Sequence, residues 1–157
     1  MNTLLITNRQ RVRRVDTRWL RACAVALLAE LLALDEYELG VQLVGSREMA
    51  RVNQQFLAHE GSTDVITFSY AEPGDARLHG EIFICVSDAV AQADEWGTTW
   101  QSEVVRYLVH GVLHLRGYDD LEPAKRRVMK RHENRLVARL AGRFALSKLE
   151  RKPTLAA

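Results

Sequence analysis

The chain has only two cysteines and three prolines among its 157 residues, few aromatics, and no long apolar run. Cys23 and Cys85 lie too far apart in sequence to form a close redox or zinc pair, which leaves them as reduced thiols packed like small apolar side chains. The longest apolar stretch, residues 22–34, is 13 positions long and is interrupted by Glu30. A membrane span needs about 20. A secretory leader places cations before its apolar segment, whereas here Leu4, Leu5 and Ile6 precede the arginines of NRQRVRR, so a cytoplasmic protein without membrane association is expected.

What remains is a chain that is 47% hydrophobic and 27% charged, the composition of one globular domain. Its length can bury on the order of 70% of the unfolded surface, so no covalent staple is required. One domain over residues 1–152 is expected, with residues 153–157 as a frayed tail.

The net charge of +2 hides a segregation: residues 1–21 carry +5, residues 22–120 carry −11, and residues 121–157 carry +8. Clustered cations favour a polyanionic partner. Arg127, Arg131, Arg135, Arg139 and Arg143 recur every fourth residue. On a helix this row is equally a solvated face, so by itself it does not establish RNA binding.

Periodicity predicts interleaved strands and helices. Residues 3–7, 37–44, 64–70 and 81–85 read as strands, and 71–80, with its Pro and Gly, as a loop. Helices are expected after Asp16 or Thr17, with Leu20, Ala24, Leu27, Leu28, Leu31 and Leu32 at helical spacing, and over 46–57. Further helices follow Ser87 and Thr98 or Thr99. A last one opens at Glu122-Pro123, with Val128, His132, Leu136, Leu140 and Phe144 as its inner stripe. The fold class is α+β: one mixed sheet of about four strands with helices packed on it.

The most informative segment is VVRYLVHGVLHLRGYDD, residues 104–120. His110 and His114, four apart on a helix, project from one face among apolar neighbours. Gly117 can stop the helix at positive φ and return the chain, bringing Asp120 to a third corner. A histidine pair alone is more often packing than metal, but the glycine stop and the carboxylate shift the balance towards a cation site. Three protein ligands, unlike the four of a structural zinc, leave a place for an activated water. The spacing resembles the metzincin zinc signature, yet Gly111 stands where that signature needs its glutamate base, which argues against a metalloprotease. His132 is a competing donor, read more simply as core.

HGVLHLRGYDD resembles the signature HGxLHLxGYDH of the YbeY endoribonucleases, bacterial ribosomal RNA maturation factors. VNQQFLAHEGSTDVITFSY and GEIFIC resemble that family's LNxxYRxKDxPTDVLSFP and GDIxIC segments, in the same order across residues 50–120. The resemblance implies a metal-dependent endoribonuclease, selective for single strands, acting in small-subunit ribosomal RNA maturation and ribosome quality control. RNA or the ribosome would then be its partner. His110, His114 and Asp120 would hold one zinc ion, or another divalent cation, and its bound water would attack the phosphodiester. Asp64 and Glu60 are candidate proton carriers, although Asp64 reads equally as a turn cap. Arg106, Arg116, Arg127 and Arg131 are candidate RNA contacts. Two positions depart from the family: Asp120 replaces its third histidine, and Leu57 replaces its loop arginine, with His59 at the place of its lysine. An anionic ligand leaves the metal less positive and suits harder cations such as manganese. A leucine cannot grip phosphate, which keeps open a second reading as a non-catalytic RNA-binding assembly factor with a structural metal.

Overall fold

The computed structural model describes residues 2–57 and 63–153. Four strands, β1 (Thr3–Asn8), β2 (Tyr37–Val44), β3 (Val65–Ser69) and β4 (Leu78–Cys85), form one sheet in the order β1-β2-β4-β3. β1 and β4 flank β2 in parallel, and β3 runs antiparallel to β4. Among the described residues five α-helices accompany them: α1 (Thr17–Val25), α2 (Ser46–Leu57), α3 (Val86–Trp96), α4 (Trp100–Leu115) and α5 (Pro123–Arg143). The mixed sheet with packed helices is the α+β arrangement that the alternation of periods predicts.

Strand alternation divides the sheet into two unequal faces. Leu39, Val41 and Leu43 of β2 join Leu78, Ile82 and Ile84 of β4 in the main core, against Leu20, Leu27 and Leu28 from the first helical segment and Leu108, Val109 and Val112 of α4. The opposite face holds a small cluster in which Met49 and Val52 of α2 cover Val44, Ile66 and Cys85. Both cysteines are buried and free. Burial pushes the Cys23 thiol up to about 12 and the Cys85 thiol up to about 11, so both are inert.

The structure departs from the sequence expectation in four places. The long first helix gives way after Val25 to a π-helical turn, Ala26–Leu31, closed by Leu32 N–H donating to the Leu27 carbonyl. This widening lets Ala26, Leu27 and Leu28 all be buried. β4 begins at Leu78, three residues earlier than Glu81, because Leu78, His79 and Gly80 pair with Tyr37, Glu38 and Leu39 despite the loop-like composition. Ser87 does not cap α3: its hydroxyl accepts instead from Ser46 N–H, tying α2 to α3. On α5, Val128 is exposed and His132 half-buried, while Met129, Glu133, Leu136, Val137 and Leu140 face inward. The inner stripe is therefore rotated by one residue at its start. Of the alternative caps, Asp16 accepts from Trp19 N–H and Thr99 from Ser102 N–H. Glu60, His59 and residues 154–157 of the expected tail lie outside the described residues. No described helix is long and apolar enough to cross a membrane.

Candidate metal centre

α4 is capped by Thr99 and buries most of its length against β4 and α3, leaving His110 and His114 on its one open side, each about a quarter exposed. Arg116 closes the helix, and Gly117 at φ 98° reverses the chain. Gly117 N–H donates to the His114 carbonyl and Tyr118 N–H to the Leu113 carbonyl, which satisfies carbonyls a helix end would otherwise leave open. The returning segment is pinned by Leu121 N–H on the Asp119 carboxylate and by the Arg126 guanidinium on the Asp120 carbonyl. Asp120 is thereby delivered to the two imidazoles.

His110 Nε2 and His114 Nε2 lie 3.0 Å apart, and Asp120 Oδ2 is 3.6 Å from the first and 3.5 Å from the second. A tetrahedral ion with bonds of about 2.0–2.1 Å separates its ligand atoms by about 3.3–3.4 Å, the mean size of this triangle. The other ring nitrogens say more. His110 Nδ1–H donates to Glu133 Oε1 at 2.7 Å, and His114 Nδ1–H donates to the Tyr118 carbonyl at 3.1 Å. In the neutral ring this leaves each Nε2 with a lone pair, and with the Asp120 carboxylate three acceptors then face one another with no donor between them among the described residues. A cation satisfies that arrangement, so the donor set fits a divalent metal.

Glu133 is a component the sequence reading missed. It is buried on the inner stripe of α5, with one oxygen on His110 and the other accepting from Arg106 at 2.7 Å and Lys130 at 3.0 Å. Burial pushes its carboxyl up, but hydrogen bonds from His110, Arg106 and Lys130 outweigh burial and bring it down to about 2. A permanent carboxylate on the outer nitrogen fixes the His110 tautomer and makes it a better ligand. Glu133→Gln is expected to weaken zinc affinity by about 10- to 100-fold with the three ligands intact, as read by competition with a chromophoric chelator. Unchanged affinity would mean that the pair only braces α5 against α4.

A 610 Å³ cleft opens beside the metal ligands, between α3, α4 and α5. Asp64 lies on its wall with Oδ1 accepting from Val65 N–H, so the turn-cap geometry is present, while Oδ2 faces Gln92 at 3.5 Å. Tyr107 also lines the cleft; its hydroxyl is buried with no hydrogen-bond partner among the described residues, and its acidity is suppressed by burial and then by the carboxylate of Asp64. Arg106 and Arg127 reach the cleft, but the Arg106 guanidinium is engaged by Glu133 and Asn134. Arg116 and Arg131 are exposed and do not line it. Leu57 borders a second hollow of 360 Å³ that also contains His110, His114 and Asp120. His132 stands apart from the three donors, its ring against Tyr118.

The family model described as endoribonuclease YbeY matches residues 5–141. A protein named endoribonuclease YbeY from Bacteroides fragilis is 31% identical over 126 residues, covering 80% of this chain and 86% of its own. One of the same name from Anaeromyxobacter is 37% identical over 145 residues, covering 92% of this chain and 74% of its own. The solution structure of TM1509 from Thermotoga maritima superposes with a TM-score of 0.68 at 23% identity, covering 98% of this chain and all of that one, and shares the fold.

Proposed function

Because the chain belongs to the YbeY family of endoribonucleases, we propose that it cleaves single-stranded RNA by metal-dependent hydrolysis, in the maturation and quality control of small-subunit ribosomal RNA in the cytoplasm. The observation that carries this reading is the ring of three acceptors, two of them held as lone pairs by hydrogen bonds on their far sides. Zinc is the ion we propose: imidazole suits it, the triangle is compatible with its bond lengths, and an outer carboxylate on His110 is the second shell such an ion commonly has. When bound, such an ion lowers the pKa of water and offsets charge on phosphate oxygens.

The chain's own groups supply the rest. His110, His114 and Asp120 fix the centre, and Glu133 holds the first imidazole in register. Asp64 is the proton carrier, a carboxylate on the wall of the same cleft whose Oδ2, among the described residues, meets only the long contact to Gln92. Arg127, with no ion pair among the described residues, is the phosphate contact at the cleft. Leu57 and the engaged Arg106 offer no guanidinium to phosphate, which leaves that role to Arg127, and slow turnover is expected. A protease is disfavoured because position 111 points at Ile82 of the sheet, where no base could reach the metal.

The test is incubation of purified protein with single-stranded and duplex RNA, with and without chelator, followed by analysis of product ends. Cutting of the single strand alone, lost with chelator and restored by zinc, is expected. Retained RNA binding with no cutting in any metal would establish the non-catalytic assembly factor instead.

A further inference from the structure

Trp96 is the last residue of α3 and is 68% exposed, although it is among the most costly side chains to leave in water. Gly97, left-handed at φ 68°, ends the helix immediately after it. The other two tryptophans are placed differently: Trp100 is buried, and Trp19 packs edge-on against Phe144. Trp96 lines the same 610 Å³ cleft as the metal ligands His110 and Asp120. Apolar surface from Val65 and Met129 and the amide of Gln92 line it as well. Arg127 supplies positive charge on the α5 side, where the Lys130 ammonium is held by Glu133. An exposed aromatic plane, a cleft with a polar side chain in its lining, and the guanidinium of Arg127, without an ion pair among the described residues, are the parts that hold an unpaired nucleotide.

We infer that this cleft is a nucleobase subsite in which Trp96 stacks on one unpaired base of the RNA, next to the phosphate presented to the metal centre, while Arg127 contacts the backbone. The inference rests on the endoribonuclease reading and adds to it a physical source of single-strand selectivity. A base can reach Trp96 only by leaving its stack and its pairing partner, and a duplex resists both. Stacking tolerates any base, so the subsite selects for strandedness more than for sequence. Arg127 would add a salt-sensitive share of affinity.

The test separates binding from cutting. With the His114→Ala protein, hexauridylate is titrated while tryptophan emission is followed, and the titration is repeated on His114→Ala carrying Trp96→Ala or Trp96→Phe. Quenching by the single strand is expected, and the Trp96→Phe protein should lose that quenching while keeping most of the affinity. Trp96→Ala should weaken binding by roughly 5- to 150-fold with no loss of thermal stability. A blunt, fully paired RNA duplex without a loop should neither quench nor compete. Affinity within twofold of the parent in Trp96→Ala, undiminished quenching in Trp96→Phe, or equal quenching by the duplex would each overturn the subsite. In the otherwise native enzyme, Trp96→Ala should raise KM with kcat nearly unchanged. Failure of the native protein to cut any RNA would refute the enzymatic reading, whereas the titration judges the base subsite by itself.

Discussion

His114→Ala and Asp120→Ala should each reduce RNA cleavage by at least about 100-fold and lower the zinc content of purified protein well below one ion per chain, while Asp119→Ala keeps both near the parent values. The magnitude follows from what each change removes. Losing one donor of three leaves a two-ligand site, a larger insult than the 10- to 100-fold cost of disturbing an outer-shell partner. Electrostatic stabilisation lost with the ion accounts for a further factor on the order of 10²–10³. Asp119 is the natural control because it is adjacent in sequence and chemically identical, yet its Oδ1 accepts from Leu121 N–H and its Oδ2 faces Lys125 at 3.9 Å. Asp120 Oδ2 instead lies within 3.6 Å of both imidazoles. Elemental analysis and single-turnover cleavage read the two quantities separately. Equal metal content in Asp119→Ala and Asp120→Ala would remove Asp120 from the centre, and full cleavage by metal-free His114→Ala would remove the metal from the reaction.

The readability of this site from sequence has a simple physical boundary. His110, His114, Gly117 and Asp120 lie within one helical turn and one chain reversal, so local geometry brings them together and spacing alone exposes them. Glu133 is 23 residues beyond His110 and reaches it only through the packing of α5 on α4, which no local rule specifies. One signal was available. Glu133 lies four residues after Met129 and three before Leu136, an acid on an apolar stripe, and a buried acid needs partners. Starting the stripe at Val128 and His132 concealed it. Trp96 escaped notice for a related reason: a tryptophan at a helix end reads as core until its exposure is known. In the fold, β2 and α2 have the bounds that alternation and capping residues predict. By contrast, the first three residues of β4 carry the Gly-containing composition of a loop and are strand only because β2 pairs with them. The π-helical turn after α1 likewise reflects burial demands that helical spacing cannot express.

Gly111→Ala should destabilise the protein by about 1–3 kcal/mol, lowering Tm by several degrees, even though alanine is the better helix former by about 1 kcal/mol. Propensity and packing oppose each other at this position, and the distances decide between them. A Cβ at 111 would lie 2.8 Å from Ile82 Cγ2 and 2.9 Å from its Cδ1, closer than carbon atoms approach. Ile82 cannot yield easily, since it is fully buried in β4, between β2 and β3, and β-branching restricts its rotamers. The absent side chain is what lets α4, which carries His110 and His114, lie close against β4. Displacing α4 should therefore also weaken zinc binding, a coupling that a purely local clash at an unrelated glycine would not produce. A double-mutant cycle isolates the contact. Ile82→Val alone should cost about 0.5–1.5 kcal/mol, but in the Gly111→Ala background it removes part of the obstruction and should cost less or even restore stability. Additive losses in thermal unfolding of the metal-free proteins would show that Ile82 is not the obstacle, and a Gly111→Ala protein more stable than the parent would refute the close approach of helix and strand altogether.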